Sequence, residues 1–348
     1  MELATFPLSR LPSEVLKVVS ACMKPTELFR LSLVSKKAHQ LAKTLRKKPK
    51  NLELFFCSHA SMYINYECGY GDYLFFVKSE KEEPAPEGCE LLKIRGYQVK
   101  VKYFGETDRM ELYWDEDRYV GLGNLHNIVM NFYKVEIYHL EVSGDHRKFD
   151  SQLGVHLVNK LQLDIGEVLF FCEKSGDDEL EEFLDEIEDR IAGALSVKVK
   201  TSEDFQYDFS QPLTANTIHF VHASWVSTIN LYNMNSSILW LNETRFSSDD
   251  IHYFLKNCMI GGNSNLTHLV LELPTEIDKD AIFNELIIEI RVEEIEFELA
   301  GSIKMVYDSS YELKRLEDGA IASILLRDED PCDFRMIVWN PDQDEEQF

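Results

Sequence analysis

The chain has 348 residues, 45% of them apolar and 11% aromatic, enough for a sizeable core and for two or more domains of ~100–200 residues each. Its 61 Asp and Glu against 36 Lys and Arg leave a net charge of −25, a surface that repels phosphate backbones and anionic lipid, so neither nucleic acid nor membrane is an expected partner. Seven cysteines form no C-x-x-C pair and no zinc spacing, and no apolar run reaches the ~18 residues of a membrane helix; the expectation is a reduced cytoplasmic or nuclear protein with no cofactor.

The charge is uneven: residues 1–50 carry eleven Lys and Arg against three Asp and Glu, a net of +8. This stretch reads as three short helices. Pro12 suits a first helical position, and Val15, Leu16, Val18, Val19, Cys22 and Met23 then spread over more than one helix face. Lys24-Pro25 breaks that helix and starts a second, filled by Leu28, Phe29, Leu31, Leu33 and Val34. Ser35 is an expected N-cap for a third, where Ala38, Leu41, Ala42 and Leu45 fall at i, i+3, i+4 and i+7. Pro49 closes it. Units near ~40 residues rarely fold without a metal, a disulfide or a partner. The first two helices also have more apolar surface than three helices can hide. On physics alone the cover is either the rest of the chain or another protein.

The order and spacing of Pro7-Leu8, Leu11-Pro12-x-Glu14-Val15-Leu16, Pro25, Leu28, Leu31-Ser32-Leu33 and Ser35-Lys36-Lys37 resemble an F-box of the nematode type over about residues 6–46. Many F-boxes carry an aromatic after the Ser-Lys element; this chain continues with Ala38-His39. The resemblance implies docking on a Skp-family adaptor, and through it on a cullin, within a ubiquitin ligase. It places Leu8, Leu11, Pro12, Val15, Leu16, Leu28, Leu31 and Leu33 at or near that interface.

From Asn51 to about Arg118 the pattern is period two or short apolar bursts: Leu52-x-Leu54, Tyr73 to Val77, Val99-x-Val101-x-Tyr103 and Met110-x-Leu112-x-Trp114. Gly69, Gly71, Gly96 and Gly105 punctuate them, and KEEPAPEG, 81–88, is a surface loop. The expectation is an antiparallel meander. Beyond Asn124 helices and strands alternate. Leu125, Ile128, Val129 and Phe132 form one helical stripe; Leu180, Phe183, Leu184, Ile187 and Ile191 form another, whose acidic face is expected to be solvated.

Ser236 to Leu273 is the richest segment. Ile238–Leu241 reads as a buried strand, Ser247 or Ser248 as a helix cap, and Ile251, Phe254, Leu255, Cys258 and Met259 as the helix. Gly261-Gly262 ends it, and Leu269, Leu271 and Leu273 alternate in the next strand. Strand, helix and strand imply a right-handed parallel crossover, with 30 residues from Leu239 to Leu269. A second turn is expected through a helix near 280–286 and Ile295-x-Phe297-x-Leu299, giving a leucine-rich-like array. The elements L-x-L-N-x-T at 239–244, the helix at 250–256, Gly261-Gly262-Asn263 and the leucines of 266–273 resemble the type 2 F-box-associated domain. So does the ending, Tyr311–Ala322 and Phe334 to Trp339. In that family this domain is thought to select the protein to be ubiquitinated.

Catalytic signatures are not found: there is no G-x-x-x-x-G-K-[ST], no G-x-S-x-G and no H-E-x-x-H. Gly69-x-Gly71 and Gly121-x-Gly123 read as turns, and so does Trp114 to Arg118; His219 and His222 in a strand pattern would face opposite sides. No enzyme is expected. The fold class is α+β: an F-box over 1–50, then an F-box-associated domain over 51–340, β-rich over 51–118 and mixed α/β with parallel strands over 119–340, and an acidic tail, 341–348. Three functions are open: a substrate receptor of a Skp–cullin–F-box ligase whose target protein is not readable, a binding scaffold outside the ligase, and a hydrolase-like enzyme with a helical cap.

Overall fold

A computed structural model of the chain describes residues 11–57, 60–66, 73–94, 96–107, 109–115, 117–143, 165–172, 176–187, 191–297, 305–316 and 318–339. The expectations for Leu8, Gly69, Gly71, Leu299 and the acidic tail lie outside them. The chain divides into two compact units, Met1–Ile165 and Gly166–Phe348.

The first unit opens with the three expected helices, α1 (Ser13–Cys22), α2 (Pro25–Val34) and α3 (Lys36–Leu45). Their punctuation is local chemistry. Pro25 takes the first position of α2, and the Glu27 carboxylate accepts the Lys24 N–H at 2.8 Å. The Ser35 hydroxyl accepts the Ala38 N–H at 3.1 Å and so caps α3. Pro12 precedes α1 as its N-cap residue rather than opening the helix. Among the described residues, seven strands and a helix follow: β1 (Asn51–Phe56), β2 (Ala60–Asn65), β3 (Tyr73–Ser79), β4 (Glu90–Ile94), β5 (Tyr97–Phe104), β6 (Arg109–Trp114), α4 (Arg118–Tyr133) and β7 (Ile137–Ser143). Their order in the sheet is β7-β1-β2-β3-β6-β5-β4.

This is not the simple antiparallel meander expected. β1–β2–β3 and β4–β5–β6 are antiparallel runs, but β3 and β6 join in parallel, from Leu74↔Arg109 to Ser79↔Trp114, and β1 is parallel to β7. Alternation specifies which face a residue takes, not the direction of the neighbour. Phe75, Val77, Met110 and Leu112 are all buried, as are Leu122, Leu125, Val129 and Phe132 of α4, which packs on β2, β3 and β6. Gly121 and Gly123, read as a turn, lie inside α4. A Cβ on Gly121 would stand 2.7 Å from Val77 and 3.0 Å from Trp114, so the glycine lets helix and sheet approach closely. Asp117 caps this helix, its carboxylate accepting the Tyr119 N–H at 2.8 Å.

The second unit contains β8 (Ile165–Cys172), α5 (Asp177–Ile187), β9 (Ile191–Val199), β10 (Thr217–Phe220), α6 (Thr228–Asn233), β11 (Ile238–Leu241), α7 (Ser248–Met259) and β12 (His268–Glu272). After these come α8 (Lys279–Phe283), β13 (Glu289–Arg291), β14 (Ile295–Phe297), β15 (Met305–Tyr307), β16 (Ser310–Lys314), β17 (Ile321–Leu326) and β18 (Asp333–Trp339). Strands β9 to β12 are mutually parallel, and Leu195, Ile218, Leu239 and Leu269 share one register row, all fully buried. The expected β-α-β crossover is therefore present within a longer parallel array. Two expectations are corrected. Ile191 opens β9 instead of continuing the α5 stripe, and Ile295 and Phe297 do not extend the array. They pair with β15 in a separate two-stranded sheet, while β18 closes the array antiparallel to β12. Val270 and Ile337 on β12 and β18 offer an apolar face there that Ile295, Met305 and Tyr307 cover.

Candidate docking surfaces

The N-terminal helices divide their apolar residues between two uses. Pro25, Thr26, Leu28, Phe29 and Ser32 of α2 are buried. Phe29 lies edge-on to Phe75 of β3 and Phe132 of α4, with ring centroids at 5.2 and 6.0 Å. The Tyr133 hydroxyl donates to the Pro25 carbonyl at 3.2 Å, Lys24 donates to the Gly105 carbonyl, and Arg30 stacks on Tyr103 and pairs with Glu90. One face of α2 is thus part of the sheet's own core, and the unit does not end at residue 50.

The other use is outward. Among the described residues α1 buries no apolar side chain: Val15 is 42% and Val18 66% exposed, and Leu16 and Val19 are half-buried. Val34, the last residue of α2, is 73% exposed. Of the residues singled out in sequence, Leu11, Leu16, Leu31 and Leu33 are half-buried, Pro12 and Val15 are exposed, and Leu28 is buried beside Phe29. Val18 and Val34 were not among them. Val18 stands three residues after Val15, hence on the same helix face, and that spacing was available. Lys36 and Lys37 follow Val34 in the chain and are exposed, so basic side chains flank that apolar residue.

In the second unit the long segment before β10 is held by an aromatic cluster. Tyr207, Phe209 and Phe220 lie with ring centroids 6.4, 6.2 and 5.1 Å from Trp225. The fully buried Asn230 donates from Nδ2 to the Tyr207 carbonyl. Asn263, left-handed at φ 50°, donates from Nδ2 to the carbonyls of Leu231 and Met234 and ties the end of α7 to α6. Ser247 and Asp250 form a reciprocal capping box on α7. On the sheet face away from this core, His219 stacks on Trp240 at 4.6 Å, and burial lowers the pKa of His219 and of His268. His222 pairs instead with Glu243 at 2.7 Å, so the two histidines do not converge. Among the described residues no group of His, Cys, Asp and Glu is arranged to hold a metal, and no helix is long and apolar enough to cross a membrane.

Two family models match the chain: an F-box domain over residues 8–50, which spans α1 to α3, and an F-box associated domain over residues 204–271, which spans the aromatic segment, β10, α6, β11, α7 and most of β12. Neither is a catalytic family, and F-box domains generally bind Skp-type adaptors. No curated protein and no solved structure matches the chain.

Proposed function

We propose that this chain, which carries an F-box and a type 2 F-box-associated domain, is the substrate-receptor subunit of a Skp–cullin–F-box ubiquitin ligase, working in the cytoplasm or nucleus. The observation that carries the reading is the division of labour in the F-box helices. α2 is anchored in the chain's own core by Leu28 and Phe29, while Val15, Val18 and Val34 remain outside. Exposed apolar side chains that its own unit leaves bare on α1 and α2, with exposed Lys36 and Lys37 following Val34 in the chain, suit an adaptor with an apolar groove and acidic surroundings. Leu11, Val15, Leu16, Val18, Leu31, Leu33 and Val34 form the proposed docking set; Leu28 serves the interior. Residues 51–340 are the proposed target-recognition region. The mechanism is proximity: the F-box end fixes the chain to the ligase and the remainder holds a target protein near the ubiquitin-charged enzyme. This raises effective concentration without bond chemistry by this chain.

The test is co-expression with a Skp adaptor followed by size-exclusion chromatography, for the wild type and for Val18→Asp. Val18 is exposed, so the substitution spares the fold. A charge placed in a desolvated interface costs several kcal/mol, on the order of a thousandfold in affinity. Co-elution of the wild type and its loss in the folded variant are expected. A well-folded wild type that elutes alone, or a variant that still co-elutes, overturns the reading.

A further inference from the structure

Strands β3, β6 and β5 lie side by side; one face of β3 and β6 packs on α4, and Val99 and Val101 of β5 are buried on the same side of the sheet. By the same register the opposite face carries Phe76 and Lys78 from β3, Arg109, Glu111 and Tyr113 from β6, and Lys100, Lys102 and Phe104 from β5. In a chain of net charge −25, that face holds four cations against one carboxylate. Glu111 is its fixed point. The carboxylate is almost fully buried, accepts the Tyr113 hydroxyl at 2.6 Å and an Arg109 N–H, and lies 3.5 Å from Lys78. Burial works to raise its pKa, but Tyr113, Lys78 and Arg109 outweigh burial and hold it below the usual carboxylate range. Aromatic rings seat the cations: the Arg109 guanidinium lies 4.1 Å over Phe76 and 5.4 Å over Phe104, and Lys78 lies 5.4 Å over Tyr113.

An acidic loop, residues 80–88, crosses this face. Glu80 accepts from Lys100 at 2.7 Å, Glu83 accepts from Lys78 at 2.9 Å, and Glu82 lies 3.5 Å from Arg118 at the start of α4. The Glu87 carbonyl accepts from Lys102 at 3.2 Å. Beside these contacts lies a cavity of about 540 Å³, lined by Phe76, Lys78, Ser79, Glu82, Arg109 and Arg118 among others. Arg109 Nε is buried and finds no hydrogen-bond partner among the described residues. The cavity has room for more than a simple anion, and Arg109 is one of its lining residues.

We infer that this face of the first unit docks an acidic, extended segment of a partner protein, and that Glu80, Glu82 and Glu83 of the loop occupy its place when the partner is absent. In the loop's ion pairs the Glu83 carboxylate is exposed and those of Glu80 and Glu82 are partly open to water, and pairs in contact with solvent hold little free energy. A partner's carboxylates exchange with them at near balance, and the four cations of the face together with the empty volume favour the partner. Naming that partner as a ligase target rests on the receptor reading; the site itself rests on β3, β5, β6 and the residues beside them in the first unit.

The probe is a fluorescently labelled peptide of alternating Glu and Leu, with a Lys-Leu peptide of the same length as control, titrated with the full-length chain and read by anisotropy at low and physiological salt. The combined variant Glu80→Gln, Glu82→Gln, Glu83→Gln removes the internal competitor and is expected to bind the acidic peptide on the order of tenfold more tightly than the wild type. Arg109→Met and the pair Lys100→Ala, Lys102→Ala are expected to abolish binding, with circular dichroism confirming the fold. No binding by the loop variant, equal binding of the Lys-Leu peptide, or full displacement by millimolar inorganic phosphate, which would mark a small-anion site only, overturns the inference. Val18→Asp should bind the peptide as the wild type does, and the loop variant should co-elute with the adaptor as the wild type does. Failure of this site and failure of adaptor docking are thereby separate results.

Discussion

His126 lies among the buried residues of α4 at 1% exposure, and neither ring nitrogen finds a hydrogen-bond partner among the described residues. Burial pushes its pKa down from 6.5 to about 4. The folded state therefore refuses a proton that the unfolded chain accepts. The stability tied to the neutral ring is complete above about pH 6.5 and is lost as the pH falls toward 4. The whole interval corresponds to ~3 kcal/mol, of which ~2 kcal/mol is already lost at pH 5. His126→Leu fills a similar volume, leaves no polar atom unpaired and removes the titration. Urea unfolding of both chains at pH 8 and pH 5, followed by tryptophan fluorescence, is the assay. The wild type should lose ~2 kcal/mol more than the variant between the two conditions, and the variant should be at least as stable at pH 8. His219 and His268, whose pKa values burial also lowers, are present in both chains and cancel in the difference. Equal losses in the two chains refute the reasoning, because they would mean that the ring takes up its proton in the folded state as readily as in the unfolded one.

Phe29→Ala, although inside the F-box, should destabilise the first unit by ~3–5 kcal/mol, since it empties the contact with Phe75 and Phe132; urea unfolding measures it. Gly121→Ala should cost ~1–3 kcal/mol through its clash with Val77 and Trp114, read as a lower melting temperature. Ser247→Ala breaks the reciprocal cap of α7 and should cost ~1 kcal/mol in the second unit, with the adaptor interaction unchanged.

The elements that declared themselves in sequence did so through local chemistry. Ser35, Pro25 and Ser247 mark helix starts by hydrogen-bonding needs that the chain meets within three residues, and the leucines of β12 mark one face of a strand. What stayed hidden depends on neighbours distant in the chain. Nothing near Phe29 says that its ring meets Phe75 and Phe132, so its burial could not be told from that of a partner-facing residue. The parallel join of β3 and β6 was hidden for the same reason: apolar alternation is identical in either direction. Gly121 imitated a turn because glycine serves loops and tight helix–sheet contacts alike, and only the opposing Val77 distinguishes them. The basic face was invisible because Lys78, Lys100, Lys102 and Arg109 are scattered among acids in sequence and converge only through strand register.

The burial of Phe29 between Phe75 and Phe132 bears on how loss-of-function chains are to be interpreted. A chain begun at residue 51 would expose two aromatic rings and the α4 surface beneath them, so it would be a folding lesion before it was a docking lesion. Poor expression, rapid turnover or a missing phenotype in cells carrying that truncation would say nothing about the adaptor. The informative alleles are single polar replacements at Val15, Val18 and Val34, where the helices meet solvent and the interior is left intact.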